Sequence, residues 1–228
     1  VPATHDTDLV VEIPTESGLA RLTWHAGIPS QHQNAGAILL LGHGAGGGIT
    51  APDLLLVAGA ARALGMAVGL VEQPYRVAGK RAPVPAPRLD VAFIAVAADA
   101  RRQIRTAGLV APVLVTGGRS SGARVACRTA QATGAAGVLA LGFPLSPQRP
   151  AGRERPTRLP ELIGTGVPVL VVQGDRDVFG SAEQLRRELD ASKASADVLV
   201  STATGADHAL RKGIDPAVIA EWLARFLT

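Results

Sequence analysis

The sequence predicts an α/β fold: a mostly parallel central sheet with helices on both faces, entered through an N-terminal antiparallel hairpin, with no separate lid domain. Three observations point there. From residue 37 onward, strand-sized apolar runs alternate with longer helical stretches. The strongest run, Ala37-Ile38-Leu39-Leu40-Leu41, is continuously apolar, as a strand covered on both faces requires. The composition, 47% hydrophobic against 18% charged, supports a buried core without disulfides over 228 residues, a length that fits one domain, 1–228.

The elements follow in order. Residues 8–13 and 19–25 are short and partly β-branched, and Pro14-Thr15-Glu16-Ser17-Gly18 between them reads as a hairpin turn. Strand 37–41 runs into a glycine-rich loop, then helix 53–64 ends near Gly65, and strand 67–71 follows. The Pro-rich stretch 82–87 reads as a surface loop leading into helix 90–106, because strand–helix alternation resumes at once. Strand 113–116, helix 122–133, strands 137–141 and 167–172, helix 182–189, strand 197–201 and helix 216–226 complete the chain.

Composition excludes several function classes. The net charge is only +4, and the arginines are scattered, without a polybasic tract or stacking aromatics, so nucleic acid is not an expected partner. The apolar runs are too short to cross a bilayer, so no membrane association is expected. A single cysteine, Cys127, cannot form an intrachain disulfide, and the first residues lack a signal-peptide pattern. A cytoplasmic monomer or homodimer without metal or cofactor is the expectation.

Thr116-Gly117-Gly118-Arg119-Ser120-Ser121-Gly122 lies between a strand and a helical pattern and contains G-x-S-x-G, with Ser120 central. A sharp strand–turn–helix elbow holds a nucleophile in strained geometry above the sheet edge, and flanking glycines let neighbouring backbone pass close by. The N–H of Ser121 then sits at a helix N-terminus, where it can stabilise an oxyanion. An ordinary Gly/Ser turn capping a helix would carry the same five letters.

Gly42-His43-Gly44-Ala45-Gly46-Gly47-Gly48 supports two readings. Gly42, Gly44 and Gly47 satisfy the dinucleotide fingerprint, with Glu72 as a ribose-binding acid, although Glu72 lies further along than the ~20 residues that pattern wants. The favoured reading is an oxyanion loop, in which the Ala45 N–H points at the substrate oxygen and His43 packs beneath in a structural role.

Two later loops complete the set. In Gln173-Gly174-Asp175-Arg176-Asp177-Val178-Phe179-Gly180, two carboxylates compete; Asp177 is preferred as the acid, and Asp175 is expected to cap the turn or pair with an arginine. In Thr204-Gly205-Ala206-Asp207-His208, the histidine lies beyond the last strand and ahead of the final helix, whereas His5, His25 and His32 precede the central strands. Ser120, Asp177 and His208, each just past a strand, stand in the chain order of a nucleophile, acid and base.

These blocks, together with Leu141-Gly142-Phe143-Pro144-Leu145, resemble the α/β-hydrolase superfamily. Within it, the chain is similar to the dienelactone-hydrolase-related group that includes the hydrolase-like subunit of the non-specific-lethal chromatin complex and small bacterial relatives. The resemblance covers most of the chain from about residue 35, and the first thirty residues match nothing distinctive. It implies Ser120, Asp177 and His208 as a catalytic triad, and Ala45 and Ser121 as oxyanion donors. Ser121 departs from related elbows, which often carry a bulkier residue such as Met.

The expected chemistry is acyl transfer on a small ester or thioester by a serine hydrolase. Arg119, beside the nucleophile, and Arg76, after strand 67–71, could steer a substrate carboxylate or serve as structural ion-pair partners. Residues 143–160, beginning with Phe143, form either a flap over the substrate or a plain crossover loop. Two rival readings are a non-catalytic interaction module that keeps the fold and a dinucleotide-binding oxidoreductase.

Overall fold

The computed structural model describes residues 7–26, 36–108, 112–146, 157–194 and 197–227. Its strands are β1 (Leu9–Thr15), β2 (Gly18–Trp24), β3 (Ala37–Gly42), β4 (Ala67–Glu72), β5 (Val113–Arg119), β6 (Gly137–Leu141), β7 (Val169–Gly174) and β8 (Val198–Ala203). They form one sheet in the order β1-β2-β4-β3-β5-β6-β7-β8. Only β2 runs against the others: it pairs antiparallel with β1 and with β4, and every pairing from β4 to β8 is parallel.

The helices are α1 (Pro52–Ala63), α2 (Pro74–Val77), α3 (Ala86–Thr106), α4 (Ser121–Thr133), α5 (Leu159–Ile163), α6 (Ala182–Ser192) and α7 (Pro216–Ala224). Side chains of successive strand residues point to opposite faces, which explains why the central runs are apolar throughout. Leu39 and Leu41 pack with Leu54 and Val57 of α1 and Trp222 and Leu223 of α7. Ile38 and Leu40 pack on the other face with Phe93, Val96 and Ile104 of α3. That face continues through Val138, Ala140 and Val171, which meet Ala126 of α4, Leu162 of α5 and Leu185 of α6. Among the described residues, no helix is long and apolar enough to cross a membrane.

The boundaries differ from the sequence reading in instructive places. β1 continues through Pro14, which pairs with Leu19; a proline is tolerated there because β1 is an edge strand and needs no N–H on its open side. β5 and β7 extend through glycines that read as loop, since a parallel ladder continues wherever backbone groups are in register. α3 starts at Ala86, inside the Pro-rich stretch, with a proline in its first turn, where the missing N–H costs nothing. The short helices α2 and α5 are too brief to show a helical period.

This topology positions a crevice. β3 lies between β4 and β5; the chain leaves β3 for α1 on one face and leaves β5 for α4 on the other. The two following loops therefore part at the carboxyl ends of neighbouring strands, where open α/β sheets bind ligands.

Candidate active site

Ser120 follows β5 directly and has φ 53° and ψ −108°, a conformation that non-glycine residues rarely adopt. The turn is held by the Ser120 N–H donating to the Leu141 carbonyl at 2.9 Å and the Arg124 N–H donating to the Ser120 carbonyl at 3.2 Å. The spacing of the flanking glycines has a steric cause. A Cβ on Gly118 would stand 2.4 Å from the Gly42 carbonyl oxygen, and one on Gly122 would stand 2.2 Å from it. The elbow is thus wedged against the backbone at the end of β3, and Ser121 is the first residue of α4, where an N–H has no intrahelical partner.

The glycine loop faces it. The Gly44 carbonyl accepts from His43 Nδ1 at 2.8 Å and from the Gly47 N–H at 3.2 Å. His43 Nε2 accepts the Gln73 N–H at 3.2 Å, so the ring proton resides on Nδ1. Burial lowers the His43 pKa from its ordinary value, in keeping with a neutral ring. In a trans peptide the N–H points opposite to the preceding carbonyl, so pinning the Gly44 oxygen aims the Ala45 N–H. On its other side, Ala45 offers its carbonyl to Tyr75 Oη at 3.0 Å.

The remaining groups come from the loops after β7 and β8. His208 lies between two partners: Nε2 is 2.9 Å from Ser120 Oγ, and Nδ1 is 2.8 Å from Asp177 Oδ2. The Asp177 side chain is wholly buried and accepts two further hydrogen bonds, from Gln173 Nε2 to Oδ2 at 2.9 Å and from the Phe179 N–H to Oδ1 at 2.8 Å. The Phe179 ring lies 4.4 Å from the His208 ring. Of the two competing carboxylates, Asp177 is the one that meets His208. Asp175 instead accepts the Gly205 N–H at 2.9 Å, tying the two loops together.

The structure separates the three residues assigned to substrate. Arg119 is an ion-pair partner: its Nε lies 2.8 Å from Asp53 Oδ2, and its Nη2 donates to the His208 carbonyl at 3.1 Å. Of the two roles open to Arg119, structural ion-pair partner is the one these contacts show. Phe143 is fully buried in the core against α4 and β7 and cannot line an open surface, which corrects its assignment. Arg76 is half-buried on α2, close enough for its charge to oppose protonation of His43. Of the candidate flap 143–160, residues 147–156 lie outside the described residues.

The dinucleotide reading loses its footing. Gly42 packs against Gly122 rather than facing an open ligand site. Helix α1 begins only at Pro52, well after the glycine run, and Glu72 pairs with Arg21 at 3.5 Å.

Sequence reasoning missed Gln173, Tyr75 and Asp53. Gln173 had a legible signal, a lone amide in the apolar run VLVVQG, since a buried polar group needs partners. Its Nε2 also donates to the Phe143 carbonyl at 3.2 Å and the Gly180 carbonyl at 2.6 Å. Tyr75 and Asp53 carry no local pattern; their roles depend on where α2 and α1 lie.

No curated protein matches the sequence. Among solved structures, the chain is similar to an α/β serine hydrolase without a lid from Xanthomonas campestris, at 19% identity and TM-score 0.70, covering 100% of this chain and 97% of that one. It is similar to an α/β serine hydrolase homologue from Coxiella burnetii, at 16% identity and TM-score 0.71, covering 100% of both chains. It is also similar to Est1E from Butyrivibrio proteoclasticus, at 13% identity and TM-score 0.72, covering 96% and 98%. At such identities the likeness is one of fold. The family described as alpha/beta hydrolase domain matches residues 35–215, from just before β3 to the N-cap of α7, and the chain therefore belongs to the alpha/beta hydrolase family.

Proposed function

We propose that the protein is a serine hydrolase that cleaves small carboxylic esters or thioesters through an acyl-enzyme, with Ser120, His208 and Asp177 as its triad. The observation that carries this reading is the His208 ring held between Ser120 Oγ and Asp177 Oδ2, at 2.9 and 2.8 Å. Ser120 Oγ attacks the carbonyl carbon as His208 Nε2 takes its proton. Asp177 keeps the other ring proton on Nδ1 and stabilises the imidazolium. The Ala45 and Ser121 N–H groups receive the oxyanion. Collapse breaks the bond to the leaving oxygen or sulfur, which takes the proton from His208. Water, deprotonated by His208, then attacks the acyl carbon, the carboxylic acid departs, and the Ser120 hydroxyl is restored.

Among structures that share this fold are an esterase from Pyrobaculum calidifontis and Est1E with ferulic acid bound. Both are consistent with ester chemistry on such a scaffold. A fluorophosphonate should label the protein at Ser120. Ser120→Ala should lose on the order of 10⁶-fold in kcat on p-nitrophenyl acetate with little change in Tm. Wild-type turnover in that variant would overturn the reading. A screen over acyl length, with oxygen and sulfur esters in parallel, would then identify the substrate class.

A further inference from the structure

A second concavity adjoins the loop that carries His208. It measures about 460 Å³ and is lined by Arg176, Gly205, Ala206, Asp207, Arg211 and Lys212, within the ~300–1,000 Å³ range of small-molecule sites. Three cations converge on it from two loops: Arg176 follows β7, and Arg211 and Lys212 lie in the loop between β8 and α7. Among the described residues, none of the three side chains has an ion-pair partner. Two carboxylates border the same ground, and each is engaged by loop backbone. Asp207 Oδ1 accepts the Ala209 N–H at 2.9 Å, and Asp175 Oδ2 accepts the Gly205 N–H at 2.9 Å.

Cations that share a hollow repel one another, and an anion bound among them relieves that repulsion. The backbone here is also under constraint. Leu210, buried and immediately before Arg211, has φ 48°, an outlying value for a bulky side chain. Strained loop residues cluster at ligand sites as well as active sites, and this one sits between His208 and the two cations.

The geometry points to a binding site for a phosphate-bearing small molecule in this concavity. Guanidinium groups match phosphate oxygens in paired hydrogen bonds, and an ammonium adds a point charge. The volume exceeds what a single phosphate fills, so a diphosphate, or a phosphate joined to an organic group, is the chemical class. Binding there does not require Ser120, and the site goes beyond the hydrolase reading.

Calorimetric titration with pyrophosphate tests it. The wild type should bind saturably, more weakly as salt rises, and Ser120→Ala should bind equally well. Arg211→Gln combined with Lys212→Gln should weaken binding on the order of tenfold or more; Arg176→Gln, on the other loop, should weaken it independently. All three residues are exposed, so folding and p-nitrophenyl acetate turnover should persist. Arg187→Gln, which removes an exposed arginine of α6, should leave binding unchanged. Adenosine 3′,5′-bisphosphate in place of pyrophosphate distinguishes the sources: tighter binding marks a nucleotide-tailed ligand, and equal binding marks the phosphates alone. The absence of saturable binding at millimolar concentration, wild-type affinity in the double variant, or an equal loss with Arg187→Gln would overturn the proposal.

Discussion

The two sides of the crevice are built by different means. On the side of β3 and β5, position is set by backbone against backbone: Gly118 and Gly122 close on Gly42, and the Gly44 carbonyl is pinned to aim an amide. On the side of β7 and β8, it is set by side chains in a hydrogen-bonded chain, from Gln173 to Asp177 to His208 to Ser120. The first side should fail when atoms are added, and the second when polar atoms are exchanged.

The largest effect is expected on the second side. Asp177→Asn keeps the shape but leaves one acceptor oxygen where two are needed, one for the Phe179 N–H and one for His208 Nδ1–H and Gln173 Nε2–H; with the oxygen on the Phe179 N–H, the amide NH2 faces His208. The imidazole is driven toward the wrong tautomer, and kcat should fall on the order of 10⁴-fold while Tm moves little. A loss below tenfold would mean that the carboxylate does not orient the base.

Next is the first side. Gly122→Ala puts a methyl 2.2 Å from the Gly42 carbonyl oxygen, where only backbone can yield. Overpacking of this kind should cost about 3 kcal/mol or more, read as a lower denaturant midpoint. A variant as stable as wild type would show that the elbow has slack.

That contrast also explains what was legible beforehand. Gly118, Ser120 and Gly122 announce themselves because close backbone approach demands glycine at fixed spacing, and the apolar run at 37–41 announces the central strand. Asp177 and His208, which the structure brings together, were singled out through chain order, since a loop aspartate or histidine carries no local mark. Arg119 could not be settled between its two roles, and Phe143 was misassigned, because position along the chain says nothing of side-chain direction. Arg119 points along the sheet edge to Asp53, and Phe143 turns down into the core.

A smaller effect sharpens the role of Gln173. Gln173→Leu removes the donor shared by Asp177, the Phe143 carbonyl and the Gly180 carbonyl. Buried acceptors left short of a partner should destabilise the fold by about 2 kcal/mol. If Gln173 also orients Asp177, the pH profile of kcat/KM should shift as well. A fall in stability with an unmoved profile would confine it to a packing role.

The smallest expected effect compares the two imidazoles. In the proposed mechanism His208 gains and loses a proton in every turnover, whereas His43 must stay neutral, because Nε2 has to accept the Gln73 N–H. Burial, aided by the nearby Arg76 charge, holds the His43 pKa below 6.5, against the opposing pull of the Gly44 carbonyl and Glu72. The unfolded chain takes up its proton near pH 6.5, and the native state does so only further down. His43 therefore contributes stability that is complete above pH 6.5 and is lost as pH falls through the window below it, at up to about 1.4 kcal/mol per pH unit. Denaturant midpoints measured from neutral to mildly acidic pH should fall more steeply for wild type than for His43→Gln, whose side chain cannot titrate. Parallel slopes would show that the glycine loop does not depend on a neutral ring, and the division between a fixed imidazole and the proposed working one would be lost.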